Sequence, residues 1–271
     1  MSGGHTSSFS LRRVSAVVWK DLLDLRKNRG MLWSMLALPA VVVVMPIGVV
    51  LAYVKRPDDV SLTIMAQYYE PTVKAAQAAR FLVDKVLADW FVIYLVMPVF
   101  VPILISSHAV AGEKEKRTLE PLLAAPITPL ELVIGKSVAS LIPSVAVCFL
   151  AFAALCIGVD VAAWPLAQEL VLPNGMWLFG VVVVAPLFAF FGNGVAVLIS
   201  ARVGDARLAQ QLSGLFVLPL VGLAAGQFGG WLKAGTAYYA VIGGLVLLLD
   251  VAILVAARRL FDRERLMSRW G

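Results

Sequence analysis

The chain has 271 residues, 61% of them hydrophobic and 15% charged, with a net charge of +6 and a mean hydropathy of +0.88. Soluble domains carry about 25% charged residues, so this composition excludes an ordinary water-soluble domain. The distribution of the basic excess argues for membrane orientation, not for nucleic-acid binding.

The first ten residues, MSGGHTSSFS, contain no basic segment leading into an apolar core, so no cleavable signal peptide is expected. Residues 1–10 read as a flexible N-terminus. Next comes a stretch in which Leu11, Val14, Val18, Leu22 and Leu25 keep helical spacing while Arg12, Arg13, Lys20, Asp21 and Asp24 fill the other side. This predicts an amphipathic interfacial helix over 11–29, with its charges among lipid headgroups. It serves either as a membrane anchor alone or as a contact for a cytoplasmic partner as well.

Uncharged runs then cover 30–54, 90–112, 137–159, 170–201, 208–232 and 234–257, the last interrupted only by Asp250. A hydrocarbon core ~30 Å thick needs ~20 apolar residues in a helix, so every run is long enough to cross. None shows the alternation of a membrane β-barrel. The expected fold is an all-α polytopic membrane protein, with a transmembrane domain at 30–257. Its six transmembrane helices lie near 31–54, 88–111, 132–158, 173–200, 208–231 and 235–257, and a basic cytoplasmic tail follows at 258–271.

Six crossings place both termini on one side. That side carries 17 Lys and Arg against 6 on the other, which predicts cytoplasmic termini in the cell inner membrane. In the outer loop 55–89, the positions Val73, Ala76, Ala79, Val83, Val86 and Trp90 form an apolar stripe. They predict a helix on, or dipping into, the outer leaflet and running into the second span. Proline falls inside five spans, at Pro39, Pro46, Pro98, Pro102, Pro143, Pro186 and Pro219. Each removes a backbone hydrogen bond and permits a kink. Cys148 and Cys156 lie within one apolar run at a spacing that matches no metal or redox motif, so they read as small buried residues.

Between the second and third spans, residues 111–136 read AGEKEKRTLEPLLAAPITPLELVIGK and carry eight charged side chains. Two helix starts are visible. Thr118 caps Leu119 and Glu120 with Pro121 in the first turn, and that helix ends near Ala125 because Pro126 disfavours helix at the residue before it. Thr128-Pro129-Leu130-Glu131 is a capping box leading into the third span. The short helix presents Leu119, Leu122 and Leu123 on one face. Two turns are marginal in isolation, so these leucines sit either on the bilayer and the span ends or in a groove of a cytoplasmic protein.

Glu113-Lys114-Glu115-Lys116-Arg117-Thr118-Leu119-Glu120, then Leu122-Leu123-Ala124-Ala125-Pro126-Ile127-Thr128 and Gly135-Lys136, resemble the signature of ABC-2 type transporter permeases. That pattern runs E-x-E-x-G-T-hydrophobic-E-x-L-L-x-x-P-[IL]-[ST] and closes on G-K. Arg117 stands where the family usually has Gly, which stiffens the join before Thr118. The resemblance implies a coupling helix (Thr118, Leu119, Glu120, Leu122, Leu123) seated on a cytoplasmic ABC ATPase subunit. It further implies two ATPases and two permeases per transporter, the second permease identical or not. Glu113 and Glu115 would then be coupling carboxylates near that interface.

Gly135-Lys136-Ser137 ends like a phosphate-binding loop, but the required upstream Gly is missing and the Lys opens a membrane span. The chain is therefore expected to be a permease and not an enzyme, with ATP and Mg on the partner subunit. No nucleophile–base pair or metal cluster is visible, so no catalytic residue, metal or cofactor is assigned to this chain. Asp250 and Asn193 are candidate intramembrane polar positions. Asp250, the one acid inside a run, is costly there unless paired or wetted and has either a proton or cation role or a structural one. Gly192 and Gly194 around Asn193, like Gly222 and Gly226, suit close helix packing. The expected function is an ATP-driven exporter. The alternatives are an ion-coupled secondary transporter using Asp250 and a scaffold for a membrane complex.

Overall fold

The computed structural model describes the backbone of residues 9–115 and 128–267, and their side chains except at 108–115, 129 and 258–267. Among the described residues there is no strand. Helices α1 (Leu11–Lys27) and α2 (Arg29–Lys55) are separated by one residue, Asn28. The Asn28 N–H closes α1 onto the carbonyls of Asp24 and Leu25, and its Oδ1 accepts the Met31 N–H at 3.1 Å as the cap of α2. A short polar side chain supplies the acceptor that a first helical turn lacks, so a sharp corner needs no loop.

After α2, Asp59 caps the short α3 (Val60–Tyr69), and α4 (Ala75–Tyr94) follows. A single break at Leu95 leads into α5 (Val96–Glu115). The second crossing therefore begins at Ala75 and forms a span of 33 residues to Ser107. The stretch expected to lie along a leaflet stands inside the bundle, where Ala79, Leu82 and Val83 are buried. The chain continues with α6 (Pro129–Ala167), α7 (Gly175–Arg202), α8 (Ala206–Phe228) and α9 (Thr236–Met267). The elements α2, α4–α5, α6, α7, α8 and α9 are each long and apolar enough to cross a membrane. The fold is all-α and polytopic.

Three irregular turns have a common cause. Proline lacks the N–H that would bond the carbonyl four residues earlier. The break at Leu95 lies next to Tyr94, four before Pro98. The π turn Gly180–Val184 contains the residue four before Pro186, and the 3₁₀ turn Leu215–Val217 begins four before Pro219. Pro39, Pro46, Pro102 and Pro143 stay inside uninterrupted helix.

In α5, Met97, Val99, Val101 and Ile103 are completely shielded. A helix apolar on all sides belongs in the interior, and α5 is the axis of the bundle. On α9, by contrast, Leu247, Leu248, Val251 and Leu254 are exposed and form an apolar outer wall of the bundle. Glycine sets the closest approaches. A Cβ on Gly192 would fall 2.4 Å from the Val99 carbonyl oxygen, so α7 rests on the α5 backbone. A Cβ on Gly194 would meet the Ile253 side chain of α9 at 2.6 Å.

Toward the end of the bundle away from α1, an aromatic cluster fills the centre. Phe91 meets Trp177 and Tyr239 edge-on, with ring centroids 4.7 and 4.6 Å apart. Three polar tips find partners: Trp177 Nε1 donates to the Leu87 carbonyl, Tyr94 donates to the Cys148 carbonyl, and the Tyr239 hydroxyl pairs with Gln227. Such satisfied tips are what permit Trp and Tyr in an apolar interior. At this end α6 stops at Gln168, which adopts a left-handed conformation (φ 54°). Asp160 Oδ1 accepts the N–H groups of Val171 and Leu172 at 2.8 and 3.0 Å, folding the following segment back.

Gly192→Ala should lower stability by about 1–3 kcal/mol, because the contacted atom is backbone and cannot step aside. Thermal unfolding in detergent measures this. Gly222→Ala is the control: nothing lies within 4 Å of the added methyl, and alanine is the better helix former, so its midpoint should hold or rise.

Candidate coupling interface

The first turn of α6 carries the densest polar contacts at the α1 end of the bundle. Thr128 is extended (φ −78°, ψ 150°) and Pro129 opens the helix. The Thr128 Oγ1 accepts the Glu131 N–H at 3.3 Å, and Glu131 Oε2 accepts the Thr128 N–H at 2.9 Å. The capping box read from the sequence is present. The second carboxylate oxygen has another use: Glu131 Oε1 accepts the Ser10 N–H at 2.6 Å and lies 3.0 Å from Nη2 of Arg13. Glu131 is fully shielded from solvent. A buried carboxylate is tolerable only when its oxygens are satisfied, and here three donors from two separate stretches converge on it.

One turn further, Lys136 Nζ lies 3.5 Å from Asp21 Oδ2. Between the two ion pairs, a Cβ on Gly135 would come within 2.8 Å of the Val17 side chain. Ser10, Arg13, Val17 and Asp21 are spaced three or four apart, so one face of α1 lies along the opening turns of α6. Gly135 and Lys136 thus act as a helix contact. Of the expected stripe, Val14 and Leu25 are buried and Val18 and Leu22 half-buried, but Leu11 is exposed and Val17, outside that stripe, is buried. Pairing of Arg13 and Asp21 with α6 turns the helix about its axis. The signal in the sequence was the spacing of Arg13, Val17 and Asp21 against Glu131, Gly135 and Lys136. Local amphipathicity cannot show it, because charges facing headgroups and charges facing protein have the same period.

In sequence, the predicted coupling helix would end near Ala125, three residues before the Thr128 cap. Thr118, Leu119, Glu120, Leu122 and Leu123 lie outside the described residues. Glu113 and Glu115 fall in the last turn of α5, with side chains likewise outside what is described.

Deeper in the bundle, Asn193 on α7 is buried and its Oδ1 accepts from the Ser106 hydroxyl of α5 at 2.7 Å. The Ser140 hydroxyl of α6 lies at the same distance, and is also 2.9 Å from the Ser137 carbonyl. Asn193 thus joins three helices at one level. Its serine partners were missed because they lie more than 50 positions away in sequence. Asp250 is only 8% exposed, and its Oδ2 has no hydrogen-bond partner among the described residues. No hydrogen bond among the described residues joins Asp250 to Asn193. No three His, Cys, Asp or Glu side chains cluster as a metal site among the described residues.

Six helices long and apolar enough to cross a membrane, packed at one end against an amphipathic helix, define a polytopic membrane protein. The chain matches the family described as ABC-2 family transporter protein over residues 15–262, and it belongs to that family. It is accordingly a permease component of an ABC transporter. Comparison with curated proteins returns no match.

Replacing Glu131 by Ala removes the acceptor for two backbone N–H groups and the partner of Arg13. Trypsin should then cut the junction at Arg26–Arg29 several-fold faster in a limited-digestion time course, because α1 detaches more often. Thr128→Ala loses only the cap, about 1 kcal/mol of helix-start stability, and should change the digestion rate far less.

Proposed function

We propose that this chain is the membrane-spanning subunit of an exporter powered by a separate cytoplasmic ATPase. Two permeases and two ATPases make up the transporter, and ATP and Mg bind on the partner subunits. The reading rests on family membership across residues 15–262, together with the signature at 113–136. The α1 end faces the cytoplasm of an inner membrane, in keeping with 17 basic residues on that side against 6 on the other. Residues 118–125 form the coupling helix, docked through Leu119, Leu122 and Leu123, and Glu113 and Glu115 tune the coupling. ATP-driven closure of the partners pushes this segment, and the displacement enters α6 at Thr128 and α1 through Glu131.

Burying an aliphatic side chain in a partner groove is worth about 1.5–3 kcal/mol. Changing Leu122 and Leu123 to Asp forfeits that gain and places charge in an apolar groove. Pull-down of the tagged ATPase in detergent should collapse, while thermal unfolding of the permease alone should not change. Retention of the ATPase at wild-type levels would overturn the coupling-helix assignment.

A second reading has one observation behind it. Asp250 is a buried acid with an unpartnered oxygen, as an ion-coupled transporter would need. On the ATP-driven reading, Asp250→Asn leaves transport largely intact in vesicles. Complete loss of transport with normal ATPase activity and assembly would favour the ion-coupled reading instead.

A further inference from the structure

At the end of the bundle away from α1, the short helix α3 has two unlike sides. Leu62 and Ala66 are buried against Ala78, Ala79 and Leu82 of α4. Val60, Ile64 and Tyr68, spaced four apart, are 71%, 65% and 76% exposed. The ten residues of the helix contain no charge, whereas Arg56, Asp58 and Asp59 precede it and Glu70 and Lys74 follow it. The charges are thus held to the two ends of an apolar helix.

The level of this face follows from its tethers. Tyr53, in the last turns of α2, points its hydroxyl at the Met65 sulfur at 4.0 Å. Tyr69 donates to the carbonyl of Phe228, the last residue of α8, at 3.2 Å. Lys85 of α4 stacks 4.6 Å above the Tyr69 ring and holds it in place. So α3 is fixed at the height where two membrane-crossing helices end. Beside it, a Cβ on Gly230 would lie 3.7 Å from the Tyr69 ring, and the next residue, Trp231, is 85% exposed. Tyr and Trp are the side chains that collect where hydrocarbon meets headgroups.

We infer that α3, with Trp231, is a second interfacial anchor: its Val60–Ile64–Tyr68 face is seated in the headgroup–acyl boundary of the leaflet opposite α1. The occupant is lipid. An apolar face in water marks a surface awaiting a partner, but at the height of the span ends lipid is already there. Amphipathic helices bury their apolar side about 5–10 Å into that boundary. The protein is then held in the bilayer by one interfacial helix on each side, α1 basic and α3 uncharged.

The test places nitroxide labels at Val60→Cys, Ile64→Cys and Tyr68→Cys in the full chain, with Cys148 and Cys156 changed to Ala. The protein is reconstituted in phosphatidylethanolamine–phosphatidylglycerol vesicles. Accessibility to oxygen, which concentrates in lipid, is compared with accessibility to a water-soluble nickel chelate. Asp58→Cys gives the aqueous reference, and Leu150→Cys, exposed near the middle of α6, the hydrocarbon reference. The three α3 labels should show oxygen-to-nickel ratios well above that of position 58 and at or below that of position 150. Ratios equal to that of position 58 at all three positions would overturn the proposal, since the face would then stand in water. Protection from both reagents would also overturn it, since a protein surface, such as a second copy of this chain, would then cover the face.

Discussion

The α7 backbone rests on that of α5 at Gly192, close enough that a single methyl group would collide with the Val99 carbonyl. The middle of the bundle is organised around this contact. Because α7 can approach so far, the next residue, Asn193, reaches hydroxyls on both α5 and α6. The residue after that, Gly194, receives Ile253 of α9. Three consecutive small or polar residues thereby set the spacing of four helices. In hydrocarbon, where apolar contact alone gives no preference for protein over lipid, close packing and interhelical hydrogen bonds are what hold helices together.

At the α1 end the means are electrostatic. Glu131 ends up without exposure to solvent, yet three donors meet its two oxygens, so the cost of burial is offset by charge-assisted bonds. The outcome is a corner built from two stretches more than a hundred residues apart. Asn28 then turns the chain from α1 directly into α2, with no flexible link between them. A push at the start of α6 on the proposed cytoplasmic side is therefore shared at once by α1 and, through the Asn28 corner, by α2.

The parts of the fold legible in the sequence are those governed by local rules. Uncharged runs near twenty residues mark crossings because a bilayer has a fixed thickness, and Thr128-Pro129-Leu130-Glu131 marks a helix start because a cap involves residues three apart. The rotation of α1 was illegible, since an ion pair with α6 and a headgroup contact ask for the same residue types. So was the upright placement of α4, whose stripe through Ala79 and Val83 meets protein where lipid was expected. The node at Asn193 was half legible: a polar residue between two glycines announced close packing, but Ser106 and Ser140 are named only by the fold. The coupling residues around Leu122 were read from a signature and lie outside the described residues.

Helix α6 has 39 residues, which at 1.5 Å per residue is about 58 Å, or roughly twice the hydrocarbon thickness. Its first turn lies in the Glu131 corner, and near its last turn Leu166 touches the cluster formed by α3 and α4. One continuous rod thus has a handle on each face of the membrane. A tilt of about 5° about one end would sweep the other by about 5 Å over that length, a displacement comparable to one helical turn. Motion on one face can reach the other by rigid geometry, without a chain of side-chain rearrangements between them. Pro143 and Pro165, inside the rod, are the places where its stiffness is discounted.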